Sequence, residues 1–328
     1  MIAIVLASAL FGATQPAAGA FSTIINVPPN PAPVFVGSDT QLNVAGGSVG
    51  DDLVVGGFDG LSTNVEMNVT GGDVGDNLVA NAGAQVNIRG GSIGAFGDAF
   101  FGSRVELAGG TLGPFFDANA GSYFQSLGGT IGRGFDAMAG SQVVVAGGVV
   151  EGDFNARAGS SVTIVGTDFS LDGTPVPGLE PGTPVVLETR DAALAGTLAD
   201  GSSFEFHLNS TDAGAGDYFD PLAILSISLL SPADYDRSGG VGVEDYLVWR
   251  RQFGHAGQLT ADGNGDGVVD AADYSIWRDR LVVAPAATVP EPFTSSLLLV
   301  FLGVAYPRSL STRGPLLHNQ APMRTEVV

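Results

Sequence analysis

Residues 84 to 91 read AQVNIRGG and residues 141 to 148 read SQVVVAGG. In both, apolar and polar side chains alternate up to a pair of glycines, which is the period of a strand with one buried face. Gly-Gly pairs begin at Gly46, Gly71, Gly90, Gly109, Gly128 and Gly147, and the last four intervals are each 19 residues. Gly166 continues the series one repeat later. The first interval is 25, which places a six-residue insertion near GGFDGLSTN, residues 56 to 64.

Other columns keep the same step. Phe116, Phe135 and Phe154 form one, and Ala80, Ala99, Ala118, Ala137 and Ala156 a second. Gly83, Gly102, Gly121, Gly140 and Gly159 form a third, and Val86, Val105, Phe124, Val143 and Val162 a fourth. A fixed period near twenty with glycine corners and short strands predicts a solenoid, one coil per repeat. A coil cannot bury its apolar side chains alone, so stacked neighbours complete the core, with equal positions about 4.8 Å apart. The fold class expected is therefore mainly β: a Gly-rich β-helix-like solenoid over residues 21–172. A β-sandwich would also be all-β but does not require an exact period. Residues 173–230 lose the period. Their segments PVVLETRDAALAGTLADGSSFEFHLNS and LAILSISLL read as strands separated by DG and DAGAGD turns, a small β cap over the solenoid's open end.

The pattern changes again after residue 231. ADGNGDGVVDAAD sets Asp262, Asn264, Asp266, Asp270 and Asp273 at positions 1, 3, 5, 9 and 12 of a loop, with Gly267 at 6 and the carbonyl of Val268 at 7. That spacing of oxygen donors around a glycine turn describes a Ca²⁺ loop. Twenty-eight residues earlier, DYDRSGGVGVED repeats it with Asp234, Asp236, Ser238 and Asp245 at 1, 3, 5 and 12. The segments that follow also match: Tyr246, Trp249 and Arg250 against Tyr274, Trp277 and Arg278, each opening a short amphipathic helix. Loop 1 carries fewer charged donors, since Ser238 is neutral and position 9 is Gly242, so weaker binding is expected there.

Two loop–helix units ending on Asp at position 12 resemble a type I dockerin module over residues 232–282. The resemblance implies a small α-helical module that is ordered by Ca²⁺ and docks to a cohesin-like protein or another surface protein. Val243/Glu244 and Ala271/Ala272 stand where well-known cellulosomal dockerins carry hydroxyl pairs. Trp249 and Trp277 read either as docking anchors or, preferably, as packing between the helices.

Composition narrows the compartment. The 328 residues carry a formal net charge of −21, and all 13 basic residues other than histidine are arginines, which excludes a nucleic-acid footprint. There is no cysteine to staple the fold. Residues 1–20 read as a secretory signal peptide, with an apolar stretch over residues 2–13 and small residues AGA at 18–20. Residues 283–328 form a linker and tail that resembles a PEP-CTERM sorting signal: VPEP at 289–292, an apolar run over 293–306, then Arg308 and Arg313. Those fourteen residues span about 21 Å as a helix, short of the ~30 Å bilayer core, so transient membrane retention is expected. The resemblance implies cutting by an exosortase-type sorting enzyme.

One column invites chemistry: Asp98, Asp117, Asp136 and Asn155. Carboxylates about 5 Å apart resemble a retaining-glycosidase pair. The plainer reading is a turn position that favours Asp and Asn, with cation binding a third. A unique site normally breaks a repeat, and this column obeys it. No nucleophile elbow, phosphate loop or HExxH motif occurs, and His207, His255 and His318 are isolated. The order of modules resembles repetitive bacterial surface proteins. The function expected is a non-enzymatic extracellular or cell-surface scaffold or adhesion protein. The competitors are a polysaccharide lyase or hydrolase with the solenoid as catalytic domain, and a solenoid that binds polysaccharide without cutting it.

Overall fold

The computed structural model describes residues 20–281 apart from 213–215 and 258. Residues 1–19 of the expected signal peptide and the expected sorting tail lie outside the described residues, and no helix among the described residues is long and apolar enough to cross a membrane.

The protein is mainly β, and its body is a β-solenoid. Long strands such as Thr40–Val49, Val65–Val74, Ala84–Ile93 and Arg104–Leu112 stack in parallel, and the coil is already begun by Thr23–Val27. Two-to-three-residue strands, among them Val54–Val55, Asp98–Ala99 and Phe135–Ala137, build a second parallel sheet, of eight strands among the described residues. The predicted columns are ladders. Leu42, Met67, Val86, Val105 and Phe124 stand in register and are fully buried. So are Ala99, Ala118, Ala137 and Ala156 in the second sheet.

Each Gly-Gly pair bends a long strand, and the ladder register shifts there. Gly129 shows why two glycines are needed: its φ is +83°, and a Cβ would lie 2.7 Å from the Gly110 carbonyl oxygen of the coil beneath. The Gly83 column turns the opposite corner with φ between 74° and 80°, and the first coils put Asp39 and Asn64 there instead, residue types that tolerate this region.

The core changes character along the stack. Leu53 and Leu78 give way to Phe116, Phe135 and Phe154, whose rings stack at 5.9 and 5.2 Å, with Phe124 tilted 4.7 Å from Phe135. Outside, Asn26, Asn43, Asn68 and Asn87 pass amide hydrogen bonds from coil to coil at 2.9–3.1 Å.

The predicted cap does two things. The hairpin Ala193–Leu198/Ser203–His207 lies antiparallel on the end of Ser161–Leu171 and buries Leu194, Leu198 and Phe206. The chain then returns to the solenoid pattern: Tyr218–Phe219 pairs in parallel with Phe154–Ala156, and Ile224–Leu229 with Ser161–Leu171. Residues 218–229 thus close one more coil, with the hairpin inserted into it. Arg190 fastens this return by donating to the carbonyls of Leu187, Phe219 and Ala223. Two helices follow, α1 (Val243–Gln252) and α2 (Ala271–Arg280), each behind one acidic loop.

Candidate metal centre

The two acidic loops share one hydrogen-bond scheme. At position 1, Asp234 accepts from the amides of Ser238 and Gly239 at 3.0 and 2.9 Å, and Asp262 from those of Asp266 and Gly267 at 3.1 and 2.8 Å. At position 3, Asp236 accepts from Ser238 N and Asn264 from Asp266 N, both at 3.0 Å. Gly239 and Gly267, at position 6, have φ of +93° and +87°. At position 12, Asp245 accepts from Asp236 N and Gly242 N, while Asp273 accepts from Gly263 N, Asn264 N and Asp270 N. Each position-12 carboxylate therefore ties the loop's start to its helix's first turn. The repeated sequence folds as a repeated structure.

The loops differ in what they gather. In loop 1 a carboxylate oxygen from each of Asp234, Asp236 and Asp245 lies within 4.8 Å of the others, the one such group among the described residues. Asp234 and Asp245 are buried. Burial and the like charges of Asp236 and Asp245 push the Asp234 carboxyl up to about 9, and burial with Asp236 pushes Asp245 up to about 7. Ser238 contributes its amide to this arrangement. Loop 2 is more open. Asp266 accepts from the Asn264 side chain and the Val268 amide, and Asp270 caps α2 by accepting from Ala272 N at 2.6 Å. Of the loop 2 donor residues, Asp273 is the buried one, and Val268 is exposed. The sequence weights loop 2 by charge count, whereas the geometry gathers carboxylates in loop 1.

No family model matches this chain, and no curated protein or solved structure matches it. The site must speak through its chemistry. Two buried carboxylates, Asp234 and Asp245, crowded by the half-buried Asp236, are costly to keep charged. An all-oxygen donor set suits a hard cation such as Ca²⁺ or Mg²⁺ over a soft one.

The tryptophans pack the helix pair together. Trp249 Nε1 donates to the Asp270 carbonyl at 2.8 Å and Trp277 Nε1 to the Gly242 carbonyl at 2.6 Å, so each indole crosses to the other helix's N-cap residue. Tyr246 and Tyr274 fill the space between them. One residue that spacing does not reveal is Tyr235. It is buried and its hydroxyl donates to the Asp273 carbonyl at 2.7 Å, joining loop 1 to loop 2. Its counterpart in loop 2 is Gly263, where a Cβ would sit 2.7 Å from that same hydroxyl oxygen. The Tyr/Gly mismatch in the 28-residue repeat is the signal that could have found it.

The aspartate column forms as read. Asp98, Asp117, Asp136 and Asn155 are ladder partners in the short-strand sheet. Asp98 accepts from the Asn119 side chain at 2.9 Å and Asp136 from Arg157 Nε at 2.7 Å. Burial, then the like charges of Asp136 and Asp98, push Asp117 up to about 6. At the adjoining corner Phe96 and Phe115 are exposed, adopt φ of +60° and +61°, and stack at 5.2 Å.

Proposed function

We propose that the protein is an extracellular or cell-surface scaffold whose solenoid is a spacer and display surface and whose C-terminal module, similar to a type I dockerin, is ordered by Ca²⁺ and docks to a cohesin-like or other surface protein. The observation that carries this reading is the shared hydrogen-bond scheme of the two loops, with Asp234, Asp236 and Asp245 converging in one of them. Asp234, Asp236, Ser238 and Asp245 would hold one ion. Asp262, Asn264, Asp266, the Val268 carbonyl, Asp270 and Asp273 would hold the other. The cation supplies the positive charge that lets buried like charges coexist. In this reading a secretory signal delivers the chain, and an exosortase-type enzyme acts on its sorting tail.

The test is calorimetric Ca²⁺ titration of the full chain, with Trp249 and Trp277 as fluorescent reporters. Two bound ions and a fluorescence change abolished by chelator are expected. Asp262→Ala should weaken the response more than Ser238→Ala. Identical spectra in chelator and in millimolar Ca²⁺, with no heat of binding, would end the reading.

The raised Asp117 carboxyl beside exposed aromatic rings supports a second reading, a polysaccharide-cleaving or polysaccharide-binding solenoid. A polysaccharide panel separates the three. Release of new chain ends that is abolished by Asp117→Asn means an enzyme, retention without release means a binding module, and neither leaves the scaffold.

A further inference from the structure

The two loops match internally but stand in different surroundings. Loop 1 is built against the flank of the solenoid. Gln125, only 1% exposed, lies in the middle of the coil strand Tyr123–Ile131. Its side-chain amide donates to the backbone carbonyls of Asp236 at 2.8 Å and Arg237 at 3.2 Å. Its carbonyl oxygen accepts from Arg104 Nη2 at 2.9 Å, and the Arg104 guanidinium rests 4.1 Å over the Tyr123 ring. Arg237 reaches the other way and donates to the Ala199 carbonyl at 2.9 Å, while the buried Ser228 hydroxyl donates to the Gly239 carbonyl. Gly239 fits closely enough that a Cβ there would lie 3.1 Å from side-chain methyls of both Thr163 and Val165.

Among the described residues the solenoid makes no such hydrogen bond to loop 2, whose Gly267 carbonyl accepts instead from the Gly257 amide at 3.0 Å. Around Gly267, the counterpart of Gly239, a Cβ would meet nothing within 4 Å, and the same holds at Gly265, the counterpart of Arg237. The column that holds Gln125 carries Glu106 in the preceding coil and Val144 in the following one. Asn26, Asn43, Asn68 and Asn87 hold this column in the earlier coils and bond to one another, but Gln125 has no amide beside it in the ladder, and a buried amide needs partners. Here the partners are the carbonyls at loop positions 3 and 4, between the proposed ligands Asp236 and Ser238.

We infer that Gln125 is a positioning residue for the loop 1 cation, so that this ion site is a composite of module and solenoid while loop 2 is the self-contained site. The inference rests on the calcium reading above and adds the partner of loop 1: the solenoid of the same chain. Gln125 acts through the backbone. By fixing two carbonyls it holds the turn on which Asp236 and Ser238 are mounted, so less ordering remains to be done when the ion binds. Ion binding in turn stiffens the turn that Gln125, Ser228 and Ala199 grip, which seats the module on the coil stack. Loop 2, with its exposed donors, stays free to meet a partner or to exchange its ion.

The experiment is calorimetric Ca²⁺ titration of the full chain and of Gln125→Ala, each also in an Asp262→Ala background that silences loop 2. Backbone amide exchange of the solenoid strand over residues 123–131 is followed with and without Ca²⁺. Loss of an outer-shell contact of this kind weakens a metal site by roughly ten- to a hundredfold. The expected result is one site weakened about tenfold by Gln125→Ala, the other unchanged, and Ca²⁺-dependent protection of the strand that disappears in the variant. A general loss of stability would not move one site alone or remove a calcium-dependent signal in the solenoid. Should Gln125→Ala fail to fold, Ser228→Ala removes one grip on the same turn and should weaken the same site. Two ions bound with unchanged affinities in these variants, or both sites weakened alike, overturns the inference and leaves the calcium reading standing. A parent chain that binds no Ca²⁺ overturns both.

Discussion

Asp117→Asn should stabilise the solenoid at alkaline pH and do nothing at acid pH. Asp117 sits between Asp98 and Asp136 in adjacent coils. Its neighbours have partners in Asn119 and Arg157, whereas the Asp117 carboxylate accepts no hydrogen bond among the described residues, the Asn119 side chain reaching only its backbone carbonyl. Burial and the two flanking carboxylates raise it from 3.8 to about 6. Two units correspond to nearly 3 kcal/mol at ~1.4 kcal/mol each. The group is partly exposed and its neighbours are screened, so a figure of about 1 kcal/mol is the working expectation. Below 3.8 the carboxyl is protonated in both folded and unfolded chains and costs nothing. Between 3.8 and about 6 the unfolded chain ionises first and stability falls. Above that the penalty is complete. Asparagine keeps the shape without the charge, as Asn155 does two coils on. Urea denaturation of both proteins at pH 3.5 and pH 8, with a carbon-detected titration of the Asp117 carboxyl, measures the difference. An equal gain at both pH values, a loss at pH 8, or a carboxyl titrating near 4 would refute the argument.

Four further substitutions probe the fold. Phe135→Ala removes a ring stacked between Phe116 and Phe154 and should cost about 3–5 kcal/mol in urea denaturation. Gly129→Ala should cost about 2 kcal/mol or more in thermal melts, because left-handed strain adds to a 2.7 Å approach to backbone; Gly201→Ala, with φ of +92° in open space, should show the strain alone, about 1 kcal/mol. Asn68→Ala interrupts the amide ladder between Asn43 and Asn87 and should cost about 1 kcal/mol by the same assay.

The solenoid was legible because each coil repeats the same local problem. The Gly83 column is read directly as corners, and the Phe116, Phe135 and Phe154 spacing as a ring stack. The returning coil at residues 218–229 was not legible. The hairpin inserted before it breaks the period, and Phe219 joins the stack of Phe154 only after a detour of more than sixty residues. At the candidate metal centre the acidic positions are visible from spacing, since such a loop is a local motif. The support of loop 1 is not, because Gln125 and Asp236 lie 111 residues apart and nothing in the repeat distinguishes a solvated glutamine from one that grips another module. Phe96 and Phe115 also defeat expectation, holding a left-handed corner that Asp52 and Asn77 occupy in earlier coils.

A repeat of 19 residues would reach roughly 63 Å if pulled straight, yet each coil lengthens the stack by only about 4.8 Å. Because Ala99, Ala118, Ala137 and Ala156 meet like with like, an inserted or deleted copy leaves its neighbours' seams intact. Distance in this protein is thus a digital quantity. The length of the coil stack can be reset in steps of about 4.8 Å, by copy number alone, without redesigning a core.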